Sequence, residues 1–152
     1  MIFCCVFAIY ICFLIKIATT IASPSKKRGL SSYQTGFINV SSPELTSLDL
    51  CTYIWKFGVN RVVTILMELC EQMKPSFLKK VAKEYNNISS IQRLGYILEN
   101  FTDYDKLTNA LQQILKKNKT YYVPLSPKKE KKGEYDRRWK VIVNMQIETD
   151  DI

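Results

Sequence analysis

The 152-residue chain contains no histidine. Imidazole is the commonest general base, the usual partner of serine in hydrolase triads and the commonest zinc ligand, so one missing residue type withdraws the chemistry of many enzyme classes. A cysteine framework is missing as well. Cys4, Cys5 and Cys12 lie in an apolar N-terminal run, Cys51 and Cys70 stand singly inside helical patterns, and no metal-ligand spacing appears. An odd, scattered set of cysteines fits a reducing cytosol better than a secreted disulfide scaffold, and Cys51 and Cys70 read as small buried apolar residues. There is no internal repeat, no catalytic constellation and no cofactor motif, so the sequence predicts a binding protein that needs no cofactor or metal.

Acidic residues are the scarcer charge, 14 against 22 basic ones, which leaves a net charge of +8. The excess is concentrated in residues 116–140, where Lys116, Lys117, Lys119, Lys128, Lys129, Lys131, Lys132, Arg137, Arg138 and Lys140 face only Glu130, Glu134 and Asp136. Such a cluster suits nucleic acid, an anionic membrane surface or an acidic protein face, and it equally suits a solvated loop. With 47% hydrophobic residues the chain has enough apolar surface for one domain with a core of its own.

Residues 1–15, MIFCCVFAIYICFLI, carry no charge; after Lys16 the apolar character resumes as IATTIA before SPSKKR. Three readings compete. A secretory signal has small residues at 18–23 in its favour but lacks the positive n-region. A membrane anchor needs about 20 apolar residues, a length that residues 1–22 just reach, and Lys26, Lys27 and Arg28 would then hold the following domain in the cytoplasm. The third reading, strand-forming residues left from a larger domain, is the one carried forward, with a cytoplasmic location.

Beyond this run the periodicity predicts an α+β domain of about five helices packed with a small β-sheet. Residues 37–40 suggest a short strand after Gly36. Ser42 as N-cap, Pro43 at the first helical position and Glu44 in the first turn open a helix expected to run to Trp55. Gly58 breaks the run; Asn60 is the expected cap of a second helix carrying Val62, Val63, Leu66, Leu69, Cys70 and Met73. Pro75 begins a third that ends at Asn86 and Asn87, and Ser89 or Ser90 is expected to cap a fourth with Ile91, Leu94, Ile97 and Leu98 inside. Gly95 in that helix costs roughly 1 kcal/mol relative to alanine, which implies that something needs the space. A fifth helix follows from Asp103 to Lys117. Residues 121–125 and 139–147 alternate as strands that should share a sheet with residues 33–40, and the polar loop between them, SPKKEKKGEYDRR, is expected to be mobile.

Four segments then stand in a recognisable order: VSSPELTSLDL at 40–50, NRVVTILMEL at 60–69, IQRLGYILE at 91–99 and RRWKVIVNMQIETDDI at 137–152, with YYVPLSP before the last. Over residues 35–152 this series resembles the C-terminal domain of AbiEi-type antitoxins. The resemblance implies the antitoxin half of an abortive-infection, type IV toxin–antitoxin system. Such proteins pair an N-terminal winged-helix DNA-binding domain with this domain, repress their own operon, and counter a nucleotidyltransferase-like toxin without forming a stable complex. Residues 1–32 are too short to hold a winged helix, so the expected organisation is an apolar segment with a basic linker at 1–32 and an antitoxin-like domain at 33–152, a truncated remnant of the full pattern.

The candidate contacts for operator DNA, RNA or another partner are Arg61, Arg93, Lys128, Lys129, Lys131, Lys132, Arg137 and Arg138. Arg93 lies beside Gly95, where an open backbone would admit a phosphate or acidic group; a structural ion pair with Glu99 is the alternative. Arg61 poses the same question on the second helix. Ser41 and Ser42 read as caps and not as nucleophiles, and Glu44 and Asp49 as a solvated helical face. Tyr121 and Tyr122 beside lysines suit both a stacking platform and an amphipathic strand. Trp139 between Arg138 and Lys140 is expected to close the core.

Overall fold

The computed structural model describes residues 30–31 and 40–147. The readings of residues 1–22 as signal, anchor or remnant, and of Phe37 and Ile38 as strand, lie outside these residues. The chain divides into two compact units, Met1–Ser42 and Pro43–Ile152. In the first, β1 (Leu30–Ser31) pairs antiparallel with β2 (Val40–Ser41), Leu30 opposite Ser41 and Ser31 opposite Val40. Of the strand expected near residues 33–40 only Val40 is described: it belongs to β2, in the two-stranded sheet with β1.

The second unit opens with α1 (Pro43–Thr52), proline at its first position and Glu44 in its first turn as expected. The helix does not reach Trp55. Thr52 turns its hydroxyl back to the Leu48 carbonyl at 2.9 Å and also meets the hydroxyls of Tyr85 (2.8 Å) and Ser90 (2.7 Å), and the backbone leaves helical geometry at Tyr53. A single turn, α2 (Ile54–Phe57), follows and stops at Gly58, whose φ of 86° only glycine adopts cheaply.

Gly58, not Asn60, is the N-cap of α3 (Val59–Cys70), and Asn60 lies within its first turn. The stripe Val62, Val63, Leu66 and Cys70 is buried as its spacing requires. Next comes α4 (Pro75–Tyr85), which buries Leu78, Val81 and Ala82. The Asn86–Asn87 pair then divides its work. Asn86 takes the left-handed conformation (φ 54°) and closes α4, while the Asn87 side chain accepts from the Ser90 N–H at 3.3 Å and caps α5 (Ile88–Phe101). The serines expected in that role are instead inside the first turn, where the Ser90 hydroxyl serves Thr52.

Every residue from Ser90 to Leu98 is buried, which makes α5 the central helix. It packs on α1, on α3, on α6 (Asp105–Leu115) and on two strands, while α4 lies against α1 and α6. Those strands belong to a three-stranded sheet in the order β3 (Val123–Pro124), β5 (Val141–Val143), β4 (Glu134–Asp136). β3 runs parallel to β5, with Val123 opposite Val141, and β4 runs antiparallel, with Tyr135 opposite Ile142. The fold is α+β, as the sequence predicts. β4 is the strand that periodicity misses, because EYD is polar and sits on an edge.

Trp139 is fully buried and is the largest side chain of the core. An indole of that size removes on the order of 200 Å² from water, worth roughly 5 kcal/mol of transfer free energy. Among the described residues no helix is long and apolar enough to cross a membrane.

Candidate functional site

Two adjacent polar residues on the central helix set the position of the sheet. A buried polar side chain must find partners, and the Gln92 amide donates to the carbonyls of Tyr121 (2.8 Å) and Trp139 (2.9 Å), with that of Lys140 at 3.2 Å. Arg93, 9% exposed, donates through Nε to the Pro124 carbonyl at 2.9 Å and through an η nitrogen to the Cys51 carbonyl at 3.4 Å. The second bond places the cation at the C-terminal end of α1, where a positive charge is favoured. Burial pushes the guanidinium pKa down from its usual value. Arg93 therefore ties β3 to α1, and its expected ion-pair partner Glu99 is engaged elsewhere.

Glu99 receives the Arg138 guanidinium and the indole N–H of Trp139. The backbone N–H of Trp139 donates to Asp136 Oδ1 at 2.6 Å and Gln112 of α6 donates to the Arg138 carbonyl at 3.3 Å, so the turn joining β4 to β5 is held from three sides. Gly95 supplies the room: the Trp139 ring stands where any other residue would carry its Cβ.

Strand order decides how the basic residues are grouped. β4 and β5 are joined by the turn bearing Arg137 and Arg138, at the N-terminal end of β5. β3 runs parallel to β5, so the chain leaving it enters the loop with Lys128, Lys129, Lys131 and Lys132 at the opposite end. Three residues of strand, roughly 10 Å, stand between the two groups. One basic region in sequence becomes two in space.

At the loop end Asn144 is the organiser. Its Nδ2 donates to the carbonyls of Ser126 (2.8 Å) and Glu130 (3.0 Å), with that of Lys129 at 3.4 Å, and its Oδ1 accepts from the Ser126 N–H at 2.9 Å. Gly133 lets the returning chain pass against the backbone of Val143, a space that no Cβ could share. The loop expected to be mobile is thus pinned at its base while its lysines stay exposed. Lys128 lies over the Trp55 ring at 5.6 Å and Lys56 over the same ring at 5.1 Å. Lys132 pairs with Glu130 at 2.8 Å, an exposed pair of small energetic value.

At the turn end, exposed tyrosines accompany the cations. Tyr121 is 65% exposed with the Lys119 ammonium 5.4 Å from its ring centre. Tyr122 and Tyr135 meet edge to face at 5.2 Å. Lys140 donates to the Thr120 carbonyl at 3.2 Å, and Arg137 is exposed. Arg61 lies exposed on the first turn of α3, and no described hydrogen bond, ion pair or ring contact links it to either group.

The carboxylates of α1 depart from a solvated face. Glu44 is buried and accepts from the Lys74 N–H at 3.0 Å, just ahead of α4, where Pro75 has no N–H to offer. Asp49 accepts from the Tyr85 hydroxyl at 2.7 Å, and burial raises its carboxyl pKa. The same network raises the Tyr85 phenol pKa, chiefly by burial. Burial also pushes the Cys51 thiol up to about 12 and Cys70 to about 11, far from the thiolate form a nucleophile or metal ligand needs. Among the described residues no cluster of three metal-ligating side chains occurs.

An open cleft of about 600 Å³ lies between Tyr96 and Phe101 of α5 and the strand residues Glu134 and Val143. Gln92, Gly133, Tyr135 and Asn144 escaped the sequence reading, and Glu99 entered it only as a candidate partner of Arg93. Gln92 and Asn144 are polar residues within apolar runs, a pattern that does not name its partner, and Gly133 and Tyr135 lie in a polar stretch that gave no signal.

Residues 21–100, just over half of the chain, match the family model described as the AbiEi antitoxin C-terminal domain. No curated protein and no solved structure matches the chain. The matched span includes α1 to α4 and nearly all of α5, with Arg61 and Arg93; the three-stranded sheet and both basic groups follow it.

Proposed function

Because the chain belongs to the AbiEi antitoxin C-terminal domain family, we propose that it serves as the antitoxin of a type IV toxin–antitoxin pair, countering a nucleotidyltransferase-like toxin by binding and not by catalysis. Membership of the family is the observation that carries this reading. The chemistry of the described residues agrees with it: the two described thiols are held protonated by burial, and the acids of α1 are committed to structural hydrogen bonds.

The activity belongs to the domain at residues 33–152, acting in the cytoplasm. Its contact residues divide by what already engages them. Arg61, Lys129, Lys131 and Arg137 are exposed and meet the partner, Lys128 and Lys132 are exposed but lie against Trp55 and Glu130, and Arg93 and Arg138 act by holding β3 and the β4–β5 turn in place.

Growth rescue tests the proposal. Co-expression with a nucleotidyltransferase-like toxin should restore growth, and replacing the four loop lysines by serine should weaken rescue while leaving the fold intact. A folded, expressed chain that leaves toxicity unchanged would falsify the antitoxin role.

A further inference from the structure

We propose that the β4–β5 turn end of the sheet is a binding surface for single-stranded nucleic acid, with Tyr121, Tyr122 and Tyr135 as the stacking groups and Lys119, Arg137 and Lys140 as the phosphate contacts. This goes beyond the antitoxin reading and does not depend on which toxin is countered.

Tyr121 and Tyr122, which lead into β3, and Tyr135 of β4 have exposures of 65%, 44% and 54%. Tyr122 precedes β3 by one residue, and Tyr135 of β4 stands opposite Ile142 of β5. Their edge-to-face contact at 5.2 Å reaches across the central strand. Tyr121, the preceding residue, has the Lys119 ammonium 5.4 Å from its ring centre. Burial in the core does not account for rings this exposed, and a flat ring left in water beside a cation offers a base its stacking surface and the adjoining phosphate its counter-charge.

The charge balance at this end favours an anion. Lys119, Arg137 and Lys140 cluster here, and Gln112 joins the last turns of α6 to the Arg138 carbonyl, which brings Lys116 to the same end. The nearby acids are already engaged: Glu99 with Arg138 and the Trp139 indole, Asp136 with the Trp139 N–H. The ligand is single-stranded because stacking on tyrosine needs an unpaired base, which a duplex does not offer. The surface is also held firmly, since Gln92 fixes the backbone of Tyr121, Trp139 and Lys140 from inside.

The test is fluorescence anisotropy with the full chain and labelled oligouridine, oligothymidine and a mixed-sequence duplex, with polyglutamate as competitor. Both single strands should bind more tightly than the duplex, and whichever of them binds better identifies the preferred sugar. Three phosphate contacts predict a slope of log affinity against log salt of about −2. Tyr121→Ala should weaken binding about fivefold to a hundredfold, while Tyr121→Phe, which keeps the ring, should retain it. Serine at the four loop lysines, at the far end of β5, should have a much smaller effect. A duplex bound better than single strands, equal competition by polyglutamate, unchanged binding by folded Tyr121→Ala, or no saturable binding by the folded chain would each overturn the proposal.

Discussion

The indole of Trp139 occupies the space in which any residue other than glycine at position 95 would carry its Cβ. Gly95 lies mid-way along the buried helix α5, and Trp139 enters from the turn between β4 and β5, so one pair seats the sheet on the helical layer. A methyl group at position 95 gains roughly 1 kcal/mol of helix propensity. It also meets an aromatic ring that cannot yield, and overpacking costs up to about 3 kcal/mol. Gly95→Ala should therefore lose about 2 kcal/mol in urea denaturation, and a stabilised variant would show that the ring does not fill this space.

Arg93 bridges two carbonyls that are far apart in sequence, those of Cys51 and Pro124. Lysine keeps the charge but lacks the fork that reaches both. Arg93→Lys should destabilise by about 1–3 kcal/mol, the cost of a lost charge-assisted bond and a carbonyl left short of a donor. Toxin rescue measured alongside separates the two roles proposed for this residue. Rescue lost while stability is unchanged would make Arg93 a partner contact and not an internal tie.

The helical layer was legible because its apolar residues recur every three or four positions and because Pro43, Pro75, Gly58 and the Asn86–Asn87 pair punctuate it. The break at Tyr53 was not: neither glycine nor proline marks it, and the hydroxyls of Tyr85 and Ser90 that meet Thr52 beside it come from more than thirty residues away. Charge was legible but its arrangement was not. Residues 116–140 read as a single basic region until strand order sends the lysine loop and the arginine turn to opposite ends of β5. Gln92 and Arg93 gave the same difficulty, because a polar residue on an apolar helix signals a partner without saying that the partner is a strand backbone.

Asp49 makes stability depend on pH in a direction that its burial dictates. Its folded-state pKa is raised from 3.8, so the folded chain retains a proton that the unfolded chain has released. Stability from this group is fully present below pH 3.8 and is lost as pH rises through the folded value. An asparagine side chain at this position would keep an acceptor for the Tyr85 hydroxyl without carrying charge. Asp49→Asn should therefore gain stability relative to the parent between about pH 3.5 and pH 7, as read by denaturation at each pH. A difference that shrinks over that interval would contradict the burial argument.

Asn144 closes the lysine loop by donating to Ser126 and Glu130 and accepting from the Ser126 N–H. Alanine removes these bonds together, at roughly 1 kcal/mol each. The loss falls on local opening of the loop more than on global unfolding, because the core helices do not depend on it. Trypsin, which cuts after Lys128, Lys129, Lys131 and Lys132 only when that backbone is released, reads the difference directly. Asn144→Ala should raise the cleavage rate at these sites by at least about tenfold with little change in the denaturation midpoint. Equal rates in parent and variant would mean that the loop is already open in solution and that Asn144 does not organise it.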